Sequence, residues 1–161
     1  MSVFKTTFSR ALRTHPSDNA NIAYPNEIET GTSTTVTSLK LIDSTAKFIT
    51  NGIKTGDIVH NDTLETAATV VSVDSETQLT LNANIFTATA QLFAVYAASP
   101  QTGLGNQGAF LYVGGTGSVS VITIGNDVAT FFAVPAGTTL PIQALKLRST
   151  GTTATNIVAL W

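Results

Sequence analysis

Residues able to do chemistry are few in this chain. There are two histidines and no cysteine, which excludes thiolate catalysis, disulfides and cysteine-ligated zinc. His15 follows a basic stretch and His60 ends a short apolar run before a turn, so both read as surface or capping histidines. No Gly-x-Ser-x-Gly elbow is present to expose a serine nucleophile. Asp57, Asp62 and Glu65 lie within nine positions across a turn, and oxygen ligands that close could hold calcium. The alternating acidic loop with its glycine is missing, however, and turn aspartates ordinarily cap their own backbone. Asp74 and Glu76 read the same way. Asn61-Asp62-Thr63 is a glycosylation triplet, which matters only on a eukaryotic secretory route. Gly114-Gly115-Thr116-Gly117 lacks a Gly-Lys-Ser/Thr ending, and a strand follows it, so no helix N-terminus faces a phosphate there; it reads as a β-turn. No catalytic residue, cofactor site or metal site is expected, and no enzymatic activity.

The elements that would position these residues follow from composition and punctuation. The chain has 161 residues, a net charge of −2, 43% hydrophobic and only 11% charged residues, and 28 threonines. Such a chain is too apolar to be a disordered tail. Eight Lys+Arg give no basic field for nucleic acid, and no apolar run is long enough for a membrane-spanning helix. Beyond residue 14 no segment has helical period. Short β-branched stretches alternate with turns such as Asn51-Gly52, Gly56-Asp57, Asp74-Ser75 and Asn126-Asp127, a spacing that predicts an all-β barrel or sandwich.

The predicted organisation has five parts. Residues 1–14 form a basic N-terminal docking arm, with Phe4, Phe8 and Leu12 at i+4 spacing compatible with one short amphipathic helix. Residues 15–28 are an extended segment, held open by Pro16 and Pro25, that pairs with the C-terminal domain. Residues 29–98 form an inserted small β-barrel-like domain, opening with a turn-forming run at Thr30–Thr34. Residues 99–108 form a linker, and 109–161 a C-terminal antiparallel β-sandwich or barrel. From Pro100 to the end there are three charged residues in 62, and stretches such as Phe131–Val134 and Ile157–Trp161 are apolar on both faces. A small antiparallel sheet usually keeps one face wet, so a homo-oligomer is expected, with Phe131, Phe132, Val158, Leu160 and Trp161 at the subunit interface. Tyr24 alone looks free of a strand pattern and is the one candidate for a sugar-binding platform.

The C-terminal third carries a resemblance. Gly108-Ala109-Phe110-Leu111-Tyr112-Val113-Gly114-Gly115 is followed by Val134-Pro135-Ala136-Gly137-Thr138-Thr139-Leu140-Pro141-Ile142. Then come Ser149-Thr150-Gly151-Thr152-Thr153-Ala154-Thr155 and Ile157-Val158-Ala159-Leu160-Trp161. This order, with Pro16-Ser17-Asp18 upstream, resembles the head spike base proteins of gene transfer agents and related tailed bacteriophages. The sequence departs from that pattern in ending on Trp161 rather than tyrosine, and in the block 29–98 inserted ahead of the Leu-Tyr-Val-Gly strand. The resemblance implies a virion structural protein on the capsid surface: a vertex spike base or a decoration (cement) protein. Its partners would be the major capsid protein, a spike or fibre protein, and itself, with a pentamer favoured and a trimer as the alternative. Phe4, Lys5, Phe8, Arg10, Leu12 and Arg13 would then dock the arm on the capsid. A tail, baseplate or adhesin component that binds a host glycan is the alternative function. Neither a nucleic acid nor a membrane is expected as a partner.

Overall fold

A computed structural model describes residues 7–99 and 107–161. Phe4, Lys5 and most of the linker therefore lie outside the described residues. The chain passes through β1 (Ala11–Arg13), β2 (Glu27–Thr32), β3 (Lys40–Ile42), β4 (Ile58–Asn61), β5 (Thr66–Ser75), β6 (Gln78–Leu81) and β7 (Leu92–Tyr96). It continues through β8 (Ala109–Gly115), β9 (Gly117–Thr123), β10 (Val128–Val134), β11 (Thr138–Leu147) and β12 (Thr155–Leu160). The protein is all-β, and its strands form two six-stranded antiparallel sheets, ordered β1-β12-β8-β11-β9-β10 and β2-β7-β4-β5-β6-β3.

The first sheet bends at β11. The first half of that strand pairs with β8, up to Ala144 opposite Ala109, and its second half pairs with β9, down to Leu147 opposite Val121. The bend wraps the sheet around Leu111, Val113, Val119, Val121, Leu140, Leu147 and Ile157. β12 crosses so close to the β8–β9 hairpin that a Cβ at Gly114 would lie 2.6 Å from the Asn156 carbonyl oxygen, and one at Gly117 would collide with the Ala154 backbone. The glycines of that turn serve close backbone approach.

The second sheet curls until its two edges meet. Thr35, just beyond β2, bridges Ile42 of β3, and the Thr34 amide donates to the Ile42 carbonyl at 2.8 Å. The interior holds Leu41, Phe48, Val59, Val70, Leu79, Leu81 and Phe86, with Phe93 set edge-on to Phe48 and Phe86. Burying such side chains stabilises by roughly 1.5–3 kcal/mol each, which makes this curled sheet a core of its own.

Three expectations are corrected here. No helix forms at Phe8–Leu12; β1 lies there and pairs with β12 from Ala11 opposite Leu160 to Arg13 opposite Val158. An isolated helix of so few residues is marginal in water, whereas the open edge of β12 offers a full row of backbone partners. Residues 9–13 are consequently part of the first sheet rather than a free arm, with the Ser9 and Arg10 amides both donating to the Trp161 carbonyl. The Thr30–Thr34 stretch is not a turn over its first half. Thr30, Gly31 and Thr32 belong to β2, opposite Ala94, Phe93 and Leu92. Glycine is needed in that strand because a Cβ on Gly31 would lie 2.7 Å from the Phe93 ring.

Candidate functional site

Residues 14–24 join the two sheets and touch both. On one side the Thr14 amide donates to Ile157, Ser17 to Leu147 at 2.8 Å and Ile22 to Leu145 at 2.9 Å, all backbone carbonyls of the first sheet or its rim. On the other side the Ser17 hydroxyl donates to the Ala67 carbonyl at 2.7 Å, and the Asn19 carbonyl accepts from Thr69 and Asn82. Asp18 then clamps the rim of the first sheet. Its carboxylate accepts from the Ser149 and Thr150 hydroxyls at 2.7 and 2.6 Å and faces Arg148. Those hydroxyls, first of all, hold its acidity below the ordinary carboxylate range.

This connector covers the outer face of the second sheet. Strand side chains alternate in direction, so in β4 Val59 enters the barrel interior while Ile58 and His60 point the other way. In β7, Phe93 and Val95 point in, and Ala94 and Tyr96 out. Ile58, Ala67, Ala94 and Tyr96 pack there against Ala20, Ala23 and Leu12. Four alanines in this layer let the connector approach closely, and all four residues of β4 are buried as a result.

The two histidines meet in this layer. His15 is 5% and His60 2% exposed, with ring centroids 4.7 Å apart. His60 is flanked on its other side by the Tyr96 ring at 4.9 Å. The expectation of surface histidines is therefore corrected. They are buried because each strand face of β4 is covered, one by the barrel core and one by the connector. His15 Nε2 lies 2.9 Å from Asp62 Oδ1. Asp62 is held below the usual carboxylate range, first by that hydrogen bond. An ionised carboxylate only accepts, so Nε2 carries the proton. Burial, with a smaller push from His15 and against the pull of Asp62, depresses His60 to about 3, so the ring is neutral. The Tyr96 phenol is pushed up to about 12, by burial first and then by Glu27. Arg13 and Glu65 form an ion pair at the rim. Among the described residues neither imidazole holds a serine or threonine hydroxyl, so no nucleophile–base pair is assembled there.

Asp57, Asp62 and Glu65 do not converge. Asp57 accepts from the Lys54 amide at 2.8 Å and caps its turn, Asp62 turns to His15, and Glu65 to Arg13. Asp74 gathers Lys40, Ser72, Gln78 and Thr80 around one carboxylate and is lowered, first by Lys40. Tyr24 is not free. The Trp161 ring meets it edge-on at 5.6 Å, and the Arg10 guanidinium lies 5.3 Å over its face while donating to the Pro25 carbonyl.

The residues expected at an interface are placed as follows. Phe131 packs against the first core, while Phe132, one residue on, is 80% exposed. Phe132 lies on β10, an edge strand, with Val128 61% exposed on the same strand and Ile124 beside it. Val158 and Leu160 pair with Tyr112 and Phe110 across β8. They sit on the convex face, half-buried, where the Phe8 ring covers Phe110 at 5.4 Å. Trp161 is half-buried against Tyr24 within the chain. Of the proposed docking residues that are described, Phe8, Arg10 and Arg13 are thus engaged within the chain, and Leu12 packs into the layer beneath the connector.

Comparison with protein-family models, with curated proteins and with solved structures finds no match.

Proposed function

We propose that this chain is a non-enzymatic structural protein of a tailed-phage-type virion, seated on the capsid surface as a spike base or a decoration (cement) protein and working as a homo-oligomer. The observation that carries the reading is the β10 edge. A strand edge exposes unpaired amides and carbonyls and invites pairing with another chain, and proteins usually blunt such edges with charge or proline. Between Val128 and Val134 there is neither, and the edge is interrupted only by a register shift between Phe131 and Val134. The strand instead presents Phe132 and Val128 to solvent. An exposed apolar edge of this kind marks an association surface, and a closed ring of copies removes it without runaway growth. The residues of the Leu-Tyr-Val-Gly resemblance make up β8, β11 and β12, the centre of the same sheet, which supports the family reading.

The test has two parts. Light scattering of the purified chain is expected to give a closed oligomer, five copies for a vertex protein and three for a decoration protein. Electron microscopy of virions from the source, with the chain labelled by antibody, is expected to place it on the capsid. Virions that lack the chain would reject the proposal, and label confined to the tail would replace it with the tail or baseplate reading.

A further inference from the structure

We propose that His15, His60 and Asp62 form a binding site for one divalent transition-metal ion of the zinc class, which staples the connector to the second sheet. One donor atom from each residue comes within 4.8 Å of the other two. Imidazole and carboxylate donors together suit zinc, cobalt, nickel or copper, whereas calcium and magnesium require oxygen shells.

The site is built rather than incidental. Both imidazoles are held in a closely packed layer, His15 5% and His60 2% exposed, with their rings 4.7 Å apart. A neutral buried imidazole with a second imidazole and a carboxylate within 4.8 Å brings a ring-nitrogen lone pair to the place where an ion would sit. Asp62 supplies the missing negative charge, and its side chain is 44% exposed, which gives an ion a way in and leaves room for water as a further ligand. Metal–ligand bonds near 2.0–2.2 Å set donor atoms roughly 3.5 Å apart, so the group must contract. The exposed Asp62 carboxylate can make that movement, exchanging its hydrogen bond to His15 for a bond to the ion. His15 then coordinates as a neutral ring, its proton moving to the nitrogen that faces away. The nearest cation, Arg13, is already matched by Glu65, and Tyr96 stays a phenol that closes the far side of His60. Three protein ligands leave one position open, as in exchangeable rather than fully enclosed zinc sites.

His15 belongs to the connector, His60 to β4 and Asp62 to the turn after it. An ion bound by all three ties residues 47 positions apart, and anything that binds only the folded form raises its stability by mass action.

The experiment uses the full chain, free of any affinity tag and stripped with EDTA, in calorimetric titrations with Zn²⁺. Binding of one ion per chain, a thermal midpoint that rises with Zn²⁺, and visible absorption bands with Co²⁺ are expected. Asp62→Asn, a change at an exposed side chain, should weaken binding at least tenfold and leave the metal-free circular dichroism unchanged. His15→Gln should abolish the Co²⁺ bands. The absence of saturable binding would overturn the proposal. So would binding equally tight in Asp62→Asn, which would put the ion elsewhere, or displacement of Zn²⁺ by millimolar Ca²⁺, which would make it an oxygen-ligand site.

Discussion

Removing the Ser17 hydroxyl should loosen both sheets at once. Its backbone amide bonds Leu147 of the first sheet, and its hydroxyl bonds Ala67 of the second. The same oxygen accepts from the amides of Asn19 at 3.0 Å and Ala20 at 3.1 Å. Ser17→Ala deletes the bond to Ala67, a net loss of about 1 kcal/mol. It also strands the Ala20 amide in a buried layer, at about 1–3 kcal/mol for an unsatisfied donor. The sum is roughly 2–4 kcal/mol, which in a chain of this length lowers the thermal midpoint by roughly 5–15 °C. Urea unfolding followed by two probes reads the effect. The single tryptophan, Trp161, reports on the first sheet, and far-ultraviolet circular dichroism reports on both. In the wild type the two transitions should coincide; in Ser17→Ala both should fall and separate. Ser38→Ala makes the same chemical change at an exposed site and should stay within about 0.5 kcal/mol of wild type. A Ser17→Ala loss as small as that of Ser38→Ala, with the transitions still coincident, would refute the role of the connector as the mechanical link.

Other outcomes follow from the same geometry. If the chain assembles as proposed, Phe132→Asp should give monomer in light scattering while leaving circular dichroism intact, since the side chain is already exposed; an assembly unchanged by the substitution would clear the β10 edge of any part in it. Gly31→Ala should cost about 1–3 kcal/mol by forcing a methyl group against the Asp43 carboxylate and the Phe93 ring, and Phe93→Leu should recover only the part of that loss due to the ring in the double variant. For Asp74 the folded carboxyl is lowered below its unfolded value, so its stabilising effect is present above about pH 4. That effect is lost as the pH falls through the lowered folded value. Asp74→Asn should therefore lower stability by roughly 1–2 kcal/mol at pH 7, and the gap between variant and wild type in urea midpoint should shrink as the pH drops below 4.

Local alternation made much of this fold legible. The stretches read as strands at 58–60, 68–73, 78–81, 119–124 and 128–134 correspond to β4, β5, β6, β9 and β10, because turn chemistry and period-two patterning act over a few residues. β1 was hidden because its partner β12 lies nearly the whole chain away, and three residues of Ala-Leu-Arg carry no strand signal of their own. β2 was obscured by Gly31, whose presence answers a contact with Phe93 rather than a local turn. Within the candidate site, Asp62 drew attention only through its acidic neighbours, which point elsewhere. His15 and His60 could not be paired from the sequence, since burial of His60 depends on a connector folding over the outside of β4. The one local sign was Ile58-Val59-His60-Asn61 itself, a strand with a polar residue on each face, which a doubly covered strand can house only if both find partners.

The chain enters and leaves the second sheet side by side, since the Tyr24 amide donates to the Ala97 carbonyl and the Ala97 amide to the Asn26 carbonyl. A body hung from two adjacent strands behaves unlike one on a single thread. Rotation about such an attachment would have to shear the pair of strands and also break the bonds by which Ser17 and Asn19 of the connector hold both sheets. Closing a loop also costs free energy that grows only slowly with its length. The segment between Tyr24 and Ala97 can thus be lengthened or shortened at little thermodynamic expense and still be held in a fixed direction by its paired ends.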